Sequence, residues 1–117
     1  MSPNDANQRA NRPLSADEIL NVIRTQISRL DHDTYNYVGD LGELDAVLAT
    51  LHWLYATATG RLDEYCQASL AETERPEEFL RYKQLAESHE PVGETEGTRA
   101  ILNRWKKRGR AIGLNSN

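Results

Sequence analysis

The chain has 117 residues, of which 38% are hydrophobic and 27% charged, with a formal net charge of -4 at pH 7. A chain of that length makes one domain, able to bury roughly 60–70% of its unfolded surface. The lone Cys66 excludes an internal disulfide, and nothing in the composition calls for an oxidising compartment. A mean hydropathy of -0.70 points to exposed polar segments around a modest core.

Residues 1–14 begin with a polar, Asn-, Arg- and Pro-rich run that lacks an apolar h-region. This reads as a disordered arm and not as a signal peptide. Ser15-Ala16-Asp17-Glu18 is a capping box, in which the Ser hydroxyl and the Glu carboxylate each serve a free backbone N–H. Behind it Ile19, Leu20, Ile23, Ile27 and Leu30 recur at helical spacing on one face. Residues 31–40 form a turn-rich connection that ends in an N-cap, Asp40. A second helix then runs to about Thr59, where Gly60 suits the left-handed conformation that ends helices. Its apolar residues Leu41, Leu44, Val47, Leu48, Leu51, Leu54, Tyr55 and Ala58 cover a broad arc, with no charge between Asp45 and Arg61. That breadth marks the central helix of a bundle.

A third helix carries a stripe of Leu62, Tyr65, Cys66, Ser69 and Leu70. Pro76 opens a fourth, whose inner face is Phe79, Tyr82 and Ala86 with Leu85 near its edge. Residues 89–97 read as a linker, and a last helix begins near Thr98. The expected fold is therefore all-α, a compact bundle of four to five helices. It divides into an arm (1–14), a helical bundle (15–90), and a linker with a basic amphipathic helix (91–117). The longest low-charge run, Ala46 to Gly60, is too short and polar to span a bilayer, which takes about 20 apolar residues. No membrane association is expected, and the expected location is the cytoplasm.

Charge falls into three unequal blocks. Residues 1–39 are near neutral, residues 40–96 hold thirteen acids and four bases, and residues 97–117 hold six bases and no acid. Candidate chemistry is sparse by comparison. His32, His52 and His89 include no pair at the spacing that puts two ligands on one helical face, so no metal or other cofactor is expected. Cys66 reads as a packing residue, and the aromatic group Tyr35, Tyr37, Trp53 and Tyr55 as the cap of a core end. Gly-rich phosphate loops and nucleophile elbows are absent from the sequence.

Residues 42–76, GELDAVLATLHWLYATATGRLDEYCQASLAETERP, look like the second half of MazG-type nucleotide pyrophosphohydrolases. The likeness lies in a Glu-Leu opening, an apolar helix, a Gly, and then Leu-Asp-Glu leading into Ala-Ser-Leu-Ala; it covers less than a third of the chain. The resemblance implies an all-helical enzyme that holds magnesium through one Glu-x-x-Glu pair and one Glu-x-x-Asp pair, since a metal–pyrophosphate site needs several converging oxygens. Glu43 stands where the second pair would begin, but Ala46 stands where its Asp should be. The first helix offers only Asp17 and Glu18, at its start.

The final segment supports three readings. As an interaction helix it presents Ile101, Leu102, Trp105 and Ile112 to an apolar groove, its own or a partner's, while Arg104, Lys106, Lys107 and Arg110 meet acids at the rim. As a nucleic-acid arm it offers the same bases with Trp105 as a stacking group. As a membrane helix its apolar side is short. The first reading uses both faces and is the expectation adopted here: a non-enzymatic regulator, adaptor or inhibitor acting on a protein partner, with homodimerisation open. The alternatives are a MazG-like pyrophosphohydrolase, or a degenerate relative of one, and a nucleic-acid-binding accessory protein.

Overall fold

The structure, a computed structural model, describes residues 13–114. The expected disordered arm thus lies almost wholly outside the described residues. Five helices follow in order: α1 (Ala16–Asp33), α2 (Leu41–Ala58), α3 (Leu62–Thr73), α4 (Pro76–Ala86) and α5 (Glu96–Ala111), with a short 3-10 turn at Thr34–Asn36. Among the described residues there is no strand, only an isolated bridge between Asp40 and Pro91. The fold is an all-α bundle.

Local chemistry sets the helix ends. The Ser15 hydroxyl accepts from Glu18 N–H at 3.2 Å, and the Glu18 carboxylate accepts from Ser15 N–H at 3.4 Å, which completes the capping box. Asp40 caps α2 by accepting from Glu43 N–H at 2.8 Å. Thr95 does the same for α5, which places the start of that helix at Glu96 rather than at Thr98. Gly60 ends α2 with φ of +71°, which lets Arg61 N–H reach the Ala56 carbonyl at 2.7 Å. Gly113 repeats the device after α5.

α2 touches all four other helices. Leu41, Leu44 and Leu48, none of them exposed, join Ile101, Leu102 and Trp105 of α5 in one core cluster. A second cluster combines Ile23 and Ile27 of α1 with Tyr55 and Ala56 of α2 and with Ile112. Each such aliphatic burial contributes about 1.5–3 kcal/mol before conformational entropy is set against it. The last helix therefore shares the core with the central one.

Three helices differ from the expected pattern. On α1 Ile19, expected on the inner face, is 42% exposed. On α2 the apolar arc is wider than the covered face: Val47 and Leu54 remain 36% and 38% exposed. On α3 the expected stripe is split: Tyr65 and Ser69 face inward, the rest outward. Leu62 and Leu70 are exposed, and Cys66, expected to pack, is exposed as well. The half-buried face of α3 is instead Tyr65, Ala68, Ser69 and Glu72. The cause is electrostatic, because Glu72 is drawn inward by two arginines of α5. None of the described helices is long and apolar enough to cross a membrane.

These burials make a direct test. Leu48→Asp should lower unfolding stability by about 4 kcal/mol or more, because it buries an unpaired charge. Leu54→Asp, on the exposed flank of the same helix, should cost about 1 kcal/mol or less. Urea titration followed by circular dichroism measures both, and equal costs would contradict the placement of α2.

Candidate functional site

The six bases of α5 do two different jobs. Arg104 and Arg108, one turn apart, turn toward the bundle; Arg99, Lys106, Lys107 and Arg110 face solvent. Between the two sets run the apolar members of the predicted site. Ile101 and Ile112 are not exposed at all, and Leu102 and Trp105 are buried. The groove that receives these four side chains is the chain's own.

The inward arginines enter a cluster of ion pairs. Arg104 donates from Nε to Glu72 Oε2 at 2.8 Å, and its Nη1 lies 3.3 Å from Asp45 Oδ1. The same Asp45 oxygen accepts from Trp105 Nε1–H at 2.7 Å. Arg108, only 6% exposed, brings Nε within 2.8 Å of Glu72 Oε1. That N–H points off the oxygen, so the contact is an ion pair without a hydrogen bond. Aromatic rings supply the remaining contacts. The Arg104 guanidinium stacks 3.3 Å from the centre of the Tyr82 ring, and Arg108 lies 5.3 Å from that of Tyr65 and 4.9 Å from that of Trp105. Burial pushes the Asp45 carboxyl above its ordinary value, while the Trp105 hydrogen bond and both arginines pull it back. Sequence reasoning named Arg104 but overlooked Arg108, Asp45 and Glu72. The available signal was spacing: Arg104 and Arg108 flank Trp105 on its own side of the helix, and Glu72 continues the turn-by-turn line of Tyr65 and Ser69.

The outward face is different in kind. Arg99, Lys106 and Arg110 fall on one side of α5, with Lys107 beside them, and none forms an ion pair with a described residue. Alongside this face opens a groove of about 520 Å³ between α3, α4 and α5. Ala68, Ala71, Ala100 and Ala111 give it small-residue walls and Phe79 an aromatic one; Lys107 is the charged edge on α5, and Glu74, Arg75 and Glu78 line the side toward α3 and α4. The predicted set is thus divided: Lys107 and Arg104 line the groove, Lys106 lies on the opposite flank, and Arg110 is exposed between them.

The remaining candidates are scattered. His52 is buried, with Nδ1 2.7 Å from the Leu48 carbonyl and its ring tilted 44° against Trp105. His89 lies 3.2 Å from Asp40 on the surface, where Glu43 N–H and then His89 hold the Asp40 carboxyl below its ordinary value. Glu43 opens α2, whereas Asp17 and Glu18 open α1. α1 and α2 run antiparallel, since Leu30 packs on the cluster that holds Leu41, Leu44 and Leu48 while Ile23 shares a cluster with Tyr55 and Ala56. The acids named for the MazG-like pattern therefore sit at opposite ends of helices about 27 Å long. Among the described residues no group of three or more His, Cys, Asp or Glu side chains could hold a metal ion. No protein-family model matches the chain, and no curated protein or solved structure is significantly similar to it.

Two outcomes follow from the ion-pair cluster and the buried histidine. Glu72→Ala leaves Arg108 buried without its carboxylate and should destabilise by about 3 kcal/mol, whereas Lys107→Ala should change stability by about 0.5 kcal/mol or less. Chemical denaturation distinguishes them. Burial holds the His52 imidazole below its ordinary 6.5, so the folded state favours the neutral ring. Its contribution is complete above 6.5 and is lost as pH falls from there through the lowered folded value. The raised Asp45 and Asp31 carboxyls act in the opposite sense, at and above 3.8, where ionisation costs stability. Between about pH 7.5 and 5.5 the wild type should lose more stability than His52→Gln. Equal losses would remove His52 as the cause.

Proposed function

We propose that this protein is a non-catalytic interaction module. It takes a helical segment of a partner protein into the groove between α3, α4 and α5. The observation that carries this reading is the division of α5 into an inward half held by Asp45 and Glu72 and an outward half whose four cations form no ion pair with a described residue. Cations that already neutralise carboxylates are not free to recognise anything; of the outward four, Lys107 is the one that lines the groove. The groove follows α5 from Ala100 to Ala111, about 16 Å, which is the length of three helical turns. Its small side chains allow a second backbone to come close, and Phe79 offers one aromatic anchor. The fitting partner is an amphipathic helix with small or aromatic residues toward the groove and acids toward α5. Regulator, adaptor or inhibitor are the roles such a module serves.

The test uses the immobilised protein and nuclease-treated cell extract. Two surface variants accompany the wild type: Ala71→Trp, which fills the groove, and Lys107→Glu, which reverses one edge charge. The reading predicts a discrete protein retained by the wild type and lost with Ala71→Trp. Lys107→Glu should weaken retention about tenfold and reduce its salt dependence. Retention of nucleic acid from untreated extract, weakened equally for all sequences by Lys107→Glu and indifferent to Ala71→Trp, would favour the nucleic-acid reading instead.

A further inference from the structure

A second cleft, of about 450 Å³, opens on the other flank of α5. Three helices build it. From α1 come Arg24, Ile27, Ser28, Asp31 and His32, all on one helical face; α2 gives His52 and Tyr55; α5 gives Trp105, Lys106 and Gly109. The volume lies in the range of small-molecule sites, where an apolar wall meets a few convergent polar groups. The polar groups are unevenly arranged. At one end Arg24 Nη2 lies 3.5 Å from the Tyr55 hydroxyl, and Ser28 lines the cleft one turn along α1 from Arg24. Arg24 and Lys106 form no ion pair with a described residue, unlike Arg104 and Arg108 across the helix. The one carboxylate in the lining, Asp31, lies seven residues along α1 from Arg24, about 10 Å away, and one turn from Ser28. Burial raises its pKa, and Lys106, His52 and His32 pull it back down.

We infer that this cleft binds a small phosphate monoester with a flat aromatic body, its phosphate held by Arg24, Ser28 and the Tyr55 hydroxyl. Guanidinium, hydroxyl and phenol donors reaching from α1 and α2 suit a tetrahedral dianion with acceptors on all sides better than a planar carboxylate. The flat body packs on Ile27 and the aromatic edges of the cleft, which hold no charge of their own. Gly109 leaves room beside His52: a β-carbon there would stand 3.3 Å from His52 Nε2. The site shares none of the groove between α3, α4 and α5, so it stands or falls separately from the interaction reading.

Phenyl phosphate is the simplest probe of the class. Titrated into the full chain labelled with ¹⁵N, it should shift amide signals around Arg24, Ser28, Tyr55 and Gly109 saturably, with a Kd of about 1 mM or tighter. Inorganic phosphate and phenol should each bind about tenfold more weakly, since each lacks one half of the recognition. Arg24→Gln and Ser28→Ala, both at exposed positions, should keep the dispersed spectrum of the folded chain and weaken phenyl phosphate about tenfold. Lys107→Glu should leave it unchanged. Failure of phenyl phosphate to saturate these signals by about 10 mM would overturn the inference. So would binding indifferent to Arg24→Gln, or equal affinity for inorganic phosphate.

Discussion

Asp45 holds the structure together by facing two ways at once. It sits on the central helix beside Leu44 and Leu48, yet its carboxylate meets the indole N–H of Trp105 and the guanidinium of Arg104. Those contacts fix both the rotation and the height of α5 against α2. Glu72 extends the arrangement to α3 by holding Arg104 and Arg108 together. Desolvation makes such an arrangement costly, and burial indeed pushes the Asp45 carboxyl up. What it contributes is orientation: the indole and both guanidinia reach the two carboxylates only with α5 at this rotation and height. The stability comes mainly from Leu41, Leu44, Leu48, Ile101 and Trp105 packed between the same helices.

The same cluster explains why an acidic chain ends in bases. Part of the acidic middle and part of the basic end neutralise each other inside the bundle. The remainder is left polarised, with acids over the outer sides of α3 and α4 and four cations over the outer side of α5. Pairing inward therefore does more than attach the helix. It selects which bases stay available at the surface, and it opens a groove on one flank of α5 and a cleft on the other. The interaction proposal rests on that division.

Much of the fold was legible in the sequence, because it rests on local rules. Ser15 and Asp40 cap where their hydrogen-bonding chemistry requires, Pro76 opens α4, and Gly60 takes the positive φ that ends α2. The uncharged arc of α2 correctly marked it as the helix that all the others touch. The site was less legible. Periodicity treats an acid as a surface residue, so the α3 stripe was drawn through Leu70 instead of Glu72; Leu70 is 66% exposed. An inward Glu becomes favourable only when two arginines thirty-odd residues away wait for it, and no local pattern shows that pairing. For the same reason the apolar face of α5 could be recognised while its covering could not. Ile101 and Trp105 look alike in sequence whether a partner or the chain's own α2 receives them.

Native-state hydrogen exchange tests the central claim most directly, because it reads the attachment of each helix separately. If Asp45, Glu72 and the shared core bind α5 into one cooperative unit, the amides of Ile101 to Trp105 should open only with those of Leu44 to Leu48. Both sets would then show the same opening free energy and the same denaturant dependence. Exchange of the α5 amides at a free energy well below that of α2, with little denaturant dependence, would contradict the account. It would mean that the helix is a loosely attached tail whose charges do not hold it in place.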